Sequence, residues 1–354
     1  MKAKRMVPKA VFGVVLMMTC LGLVAMAGNA PAQQGASGYH LIKKVKLGGI
    51  GGWDYLAIDP EARRLYISRQ FGISVFDVDS DKIVGTISTQ RTHGVAIARE
   101  FNRGFISVGG NSTVVIFDLK TLAKLGEVKT DPGTDAIIYD PSSKRVFTFN
   151  GKEHANSSTA IDAETGKVVG TVKLPGSPEF AGADGAGHVY VNIADKSELS
   201  KIDSATLKVL ATWPLAPCKR PSGLAIDAEH RRVFSGCDNK VITMTDADTG
   251  KVVATVPVGD GVDAARFDPS AQVAFASAGD DGVLTVAHED SPNKLTVVDT
   301  LKTEKGARTM EIDPKTHKIY LVTADLKPTP PTPQNPDPYP TVLPDTQRLL
   351  ILGK

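Results

Sequence analysis

From residue 39 onward the apolar positions fall in short alternating runs, each bounded by Asp, Asn, Gly or Pro. Runs of that length, rich in Ile, Val, Tyr and Phe, predict β-strands. In the first group the segments 55–58, 64–68, 73–77 and 82–88 predict four strands, a to d, with Asp59 and Pro60 turning the chain between a and b.

The group then recurs. A turn residue follows the first apolar run at Asp59, Ala98, Asp140, Asp184, Asp227, Asp268 and Asp313, in steps of 39 to 45 residues. Four short strands repeating every ~40–45 residues is the pattern of a β-propeller blade. The fold class is therefore an all-β, seven-bladed β-propeller, and the repeat makes 33–354 one domain. Length alone, at ~100–200 residues per domain, would allow two or three. The seventh group supplies only three strands (309–312, 318–323 and 348–352), so the N-terminal segment 39–47 is expected to complete the last blade and remove its open edge.

The c–d connections 162–167 and 246–251 place Gly166 and Gly250 where a hairpin needs positive φ. The corresponding segment of the sixth group, 288–293, departs from this pattern, as an alternative turn or as a special functional loop. Residues 189–192, 319–323 and 241–256 resemble the YVTN repeats of the YncE-like seven-bladed propellers, a likeness that covers essentially all of 39–354. The resemblance implies the propeller fold and an exported protein. It implies no reaction, and the DNA-binding label some relatives carry is an association only.

Composition adds a compartment. Lys2, Lys4, Arg5 and Lys9 precede an apolar run over 11–26, and small residues at Ala25 and Ala27 suit cleavage, so 1–32 reads as a signal peptide cut after 27 or 32. A periplasmic or secreted monomer without an integral membrane segment is expected. Removing the four basic residues takes the formal charge from +2 to −2, so net charge favours neither nucleic acid nor membrane. Two cysteines remain. Cys218 lies in a d–a connection and Cys237 ends a strand b, which brings both to one face of blade 5 and predicts a disulfide.

That face, the top, holds the d–a and b–c connections. Five residues before each turn residue stand Asp54, His93, Asp135, Glu179, Ser222, Asp263 and Arg308, all polar, at the start of strand a. Together they would ring the mouth of the central channel, and convergent polar groups in a concavity are what a ligand site needs. Strict strand alternation opposes this, because it gives these positions the face that packs between blades. Trp53, beside Asp54, is a candidate stacking surface. Asp54, Asp135, Glu179 and Asp263 are oxygen donors of the kind Ca²⁺ prefers, although Arg308 in the same ring would repel a cation. Further top-face candidates are Arg69, Asn111, Asn150, His154, Asn192 and Arg220. The segment 325–345 carries eight prolines and is expected to be extended and stiff without internal hydrogen bonds, as a lid or a docking arm.

The expectation is thus a binding or scaffold protein of the cell envelope that takes a small ligand or partner protein at the channel mouth, with no cofactor evident and no catalytic signature. One alternative is a metal-assisted hydrolase of lactonase type, which is similar in architecture alone. The other is nucleic-acid binding through a bottom face that includes Arg63, Arg64, Arg99, Arg231 and Arg232.

Overall fold

The computed structural model describes residues 37–151, 155–333, 335–336 and 338–354, all within one compact unit. The signal-peptide reading of 1–32 and the candidate His154 lie outside the described residues.

Seven four-stranded antiparallel sheets form the blades. Blade 1 runs Trp53–Asp59, Arg64–Arg69, Gly72–Asp77 and Lys82–Ser88 from strand a to strand d, and blades 2 to 6 repeat that order. Blade 7 takes strands a to c from Met310–Ile312, Ile319–Thr323 and Arg348–Gly353, and His40–Lys46 supplies its strand d. His40 pairs with Gly353 and Lys46 with Arg348. Tyr39 anchors the closing strand: its buried ring meets Phe275 of blade 6 edge-on at 5.2 Å, with the Lys354 ammonium 5.0 Å from its centre.

The core between blades is built on a column of aromatic residues, one in each strand b: Tyr66, Phe105, Phe147, Tyr190, Phe234, Phe275 and Tyr320, every one fully buried. Burying such a side chain contributes roughly 1.5–3 kcal/mol. The recurring turn Asp has a local task. The Asp59 carboxylate accepts from the Glu61 and Ala62 N–H groups, and Asp140, Asp184, Asp227, Asp268 and Asp313 close their own turns in the same way. Blade 2 has Ala98 there and no carboxylate, and its chain turns through a 3-10 segment, Arg99–Phe101, instead.

The c–d turns confirm positive φ at Gly166 and Gly250 (72° and 71°), but Leu122 and Leu207 adopt the same conformation in blades 2 and 4. Each of these leucines packs over a glycine in strand d of the preceding blade, Gly85 and Gly170, where a side chain would collide with it. Apolar contact therefore offsets a strained backbone. In blade 6 strands c and d lengthen to Val283–Ser291 and Lys294–Lys302 and meet in a short turn. Cys218 and Cys237 form the expected disulfide, with Cα atoms 5.5 Å apart. Among the described residues no helix is long and apolar enough to cross a membrane.

The proline-rich segment differs from its expectation. Leu326–Lys327 pairs with Thr341–Val342 in a two-stranded ribbon, so it does carry internal hydrogen bonds. None of the paired positions is proline, which leaves N–H groups free to bond. Arg348 holds its base through Asp325 at 2.9 Å.

Candidate functional site

Strand a begins at the channel, and its first residues decide what the channel presents. In blades 1 to 6 the a–b pairing is irregular at this point: the register shifts between Trp53 and Leu56, Thr92 and Val95, Thr134 and Ile137, Pro178 and Ala181, Pro221 and Leu224, and Val262 and Ala264. A bulge breaks alternation and re-aims a side chain. The position read from the sequence as a channel residue sits inside that bulge in every one of these blades, which removes the parity objection. All seven side chains are half-buried.

They contact one another around the ring. His93 Nδ1 lies 2.7 Å from Asp54 Oδ2 and 3.3 Å from Asp135 Oδ1, linking blades 1, 2 and 3. Ser222 donates to Asp263 at 3.0 Å, and Arg308 Nη1 donates to the other Asp263 oxygen at 2.6 Å. Arg308 Nη2 reaches the Trp53 carbonyl at 3.0 Å, so this second arc returns to blade 1. Glu179 of blade 4 stands between the two arcs with no hydrogen-bond or ion-pair partner among the described residues. Burial first, then the Asp135 and Asp263 carboxylates, push its carboxyl up to about 8.

Of the four acids read as calcium donors, Asp263 is taken by Arg308 and Ser222, and Glu179 is set apart. The group the structure does draw together is Asp54, His93 and Asp135, with donor atoms within 4.8 Å of one another. Trp53 lines the cavity but is buried, packed with Leu47, Leu56 and Leu65 in an apolar cluster rather than standing in the mouth.

Two residues absent from the sequence-based reading form the floor. Tyr55 of blade 1 and Phe180 of blade 4 meet across the channel, ring centres 4.4 Å apart, and the Arg266 guanidinium lies 5.6 Å from the Phe180 ring. Both occupy the position after the ring residue, where the other blades carry Gly94, Ala136, Gly223, Ala264 and Thr309. Two aromatics in a column of small residues were the available signal. Its own burial first, and then the four channel carboxylates, hold the Tyr55 phenol far above its ordinary value, so it remains neutral.

Above the ring lies a cavity of about 1780 Å³, walled by Glu179, Ser222, Asp263 and Arg308 and roofed on one side by the proline-rich ribbon. Tyr339 projects from the ribbon, 84% exposed, with the Arg308 guanidinium 5.9 Å from its ring centre. Below the floor a second space of about 520 Å³ has walls dominated by Leu, Ile, Val and Ala. Most of the bottom-face arginines are occupied: Arg63 by Asp79 and Asp313, Arg99 by Asp59, Arg231 by Asp248, and Arg232 by Asp246.

The chain matches no protein-family model and no curated protein sequence. Solved structures do resemble it. A chain of hydrazine synthase from Kuenenia stuttgartiensis is similar at 15% identity with a TM-score of 0.65, over 77% of this chain and 92% of that one. A chain of the mitotic checkpoint complex is similar at 13% identity with a TM-score of 0.70, over 87% of this chain and 95% of that one. At such identities the likeness establishes the seven-bladed propeller and nothing about activity.

Proposed function

We propose that this propeller is an exported binding protein of the cell envelope, of the YncE-like type, whose channel mouth captures a ligand through a cationic group. The observation that carries the reading is Glu179: a carboxyl facing the cavity without a hydrogen-bond or ion-pair partner among the described residues, close to three further carboxylates of the ring that Arg308, His93 and the nearby Arg220 guanidinium offset in part. A positive group placed there would gain attraction from the whole ring and would favour the ionised form of Glu179. The Tyr55 and Phe180 floor closes the channel beneath it, so the site is a cup rather than a pore. Tyr339 on the ribbon offers an aromatic face toward the same space, suited to an organic cation.

Export is supported by the signal-like N-terminal sequence and by the disulfide, a bond that persists in oxidising compartments. The absence of a nucleophile–base pair from the ring favours binding over turnover. Nucleic-acid binding is less favoured, because most of the bottom-face guanidinium groups are engaged by acids. Spermidine serves as the test probe. Isothermal titration calorimetry of the mature chain at pH 7 should show saturable binding that Glu179→Gln weakens at least about tenfold, the loss of one charge-assisted contact. Failure of spermidine to bind the wild-type chain would remove the cationic-ligand reading.

A further inference from the structure

The residue that begins the c–d turn is buried in every complete blade. It is Val78, Leu119, Ala163, Ser204 and Ala247 in blades 1 to 5, and in each its N–H bonds a carbonyl of the a–b turn. Blade 6 keeps that backbone bond, Glu289 N–H to the Gln272 carbonyl, but places a glutamate where the other blades have apolar or small side chains. The Glu289 side chain is 1% exposed, and among the described residues neither carboxylate oxygen has a well-formed hydrogen bond, with the Asp227 carboxylate and the His230 ring standing beside it. Leaving a buried acceptor unsatisfied costs ~1–3 kcal/mol, and more for a charged group. A fold that tolerates Val, Leu, Ala or Ser at this position has no structural need for that cost.

Glu289 faces the seam with blade 5. There Asp227, itself 2% exposed, ends strand a, and His230 follows in the a–b turn with Nδ1 2.6 Å from Asp227 Oδ2 and 3.8 Å from Glu289 Oε1. Donor atoms of the three residues lie within 4.8 Å of one another. Zinc binds imidazole nitrogen and carboxylate oxygen at ~2.0–2.2 Å, which holds two donors within about 4.4 Å. Tetrahedral donors at those lengths stand roughly 3.3–3.6 Å apart, so loading the ion would open the 2.6 Å His230–Asp227 contact and draw Glu289 inward. The neighbouring guanidinium of Arg232 is committed elsewhere: Nε donates to the Pro292 carbonyl, and Nη1 donates to Asp246 and to the His230 and Arg231 carbonyls. Pro292 belongs to the unusual blade 6 hairpin, so the same departure from the repeat that introduces Glu289 also draws Arg232 away from it.

We propose that Asp227, His230 and Glu289 form a binding site for a zinc-class divalent cation at the bottom of the seam between blades 5 and 6. The set of one imidazole and two carboxylates suits a first-row transition ion better than calcium, which prefers six to eight oxygens. The ion would satisfy both Glu289 oxygens and bridge two blades. The site is on the face opposite the channel mouth and stands independently of the ligand proposed there.

The test is a Zn²⁺ titration of the chelator-stripped full chain against a competing chromogenic chelator, with melting temperature recorded in parallel. The wild-type chain should bind zinc at this site and melt higher with it. Glu289→Val and His230→Asn should each weaken this event by more than about 100-fold, beyond the ~10–100-fold typical of losing an outer-shell partner. The event should persist in His93→Asn, which separates it from the Asp54, His93 and Asp135 group at the top. Without metal, Glu289→Val should melt at or above the wild type, because it installs the residue that blade 1 carries at Val78. A wild-type chain that binds no zinc, or zinc affinity and melting shift unchanged in Glu289→Val, would overturn the proposal.

Discussion

Arg308 Nη1 meets Asp263 Oδ2 at 2.6 Å across the seam between blades 7 and 6, while Nη2 of the same guanidinium holds the Trp53 carbonyl of blade 1. One side chain thus ties three blades at the point where the ring of blades closes. It is also the only guanidinium in the ring of seven. Burial disfavours its charge, but Asp263 and Asp54 more than compensate, so it stays protonated. Arg308→Ala should lower stability by about 1.5–3 kcal/mol, the range for hydrogen bonds to charged groups. Chemical denaturation measures this, and Asp263→Asn in the same chain should restore part of the loss because the orphaned acid is gone. An unchanged midpoint would mean the pair is screened by water.

Glu179 makes stability depend on pH. Its carboxyl is raised from the ordinary 4.5 to about 8, so between those values the folded chain holds a proton that the unfolded chain has released. Its contribution is therefore fully present below about pH 4.5 and is lost as pH rises through about 8. Denaturation midpoints taken from pH 5 to 8 should fall as the folded chain is made to give up this proton, and Glu179→Gln should flatten the slope. A wild-type slope identical to that of the variant would show that Glu179 ionises normally.

Gly223 lies at the channel position that Tyr55 and Phe180 occupy in their blades. A Cβ there would stand 2.5 to 2.8 Å from backbone atoms of Ala264 and Ala265 in the next blade. Backbone cannot rotate aside as a side chain can. Gly223→Ala should cost about 1–3 kcal/mol through overpacking, whereas Gly126→Ala, which meets nothing within 4 Å, should cost little of that kind. Thermal melting of the two variants makes the comparison.

The closing strand carries its own test. Tyr39→Ala removes a buried ring that packs between blades 6 and 7 and should cost about 3 kcal/mol or more. Deleting residues 33–47 should lower the melting temperature further by exposing the edge of Arg348–Gly353. Unchanged melting after the deletion would contradict closure by this strand.

Much of the fold could be read from the repeat, because turn aspartates and alternating apolar runs are local features. The strands of blade 1, the completion of blade 7 and the Cys218–Cys237 pair all follow from such positions. The ring from Asp54 to Arg308 was visible as a column, but its orientation was not, since the bulge that turns Asp54 or Asp135 inward depends on pairing with strand b. The channel floor was legible in principle. Tyr55 and Phe180 interrupt a column of small residues, yet their meeting requires blades 1 and 4 to face each other across a closed ring. Glu289 was hidden differently: only the backbone bond to Gln272 aligns it with Val78 and Ala247, because the lengthened hairpin disguises the register. The proline-rich segment pairs through Leu326 and Val342, whose N–H groups survive among prolines that suggested none.

In the free chain Glu179 is a protonated acid, and a cationic ligand bound at the channel mouth should ionise it. Proton release on spermidine binding tests this most directly, by calorimetry at pH 7 in buffers of different ionisation enthalpy. The wild-type chain should release close to one proton for each spermidine bound, and Glu179→Gln should release almost none. Binding without proton release in the wild type, or equal release in the variant, would contradict ionisation of Glu179 by the ligand.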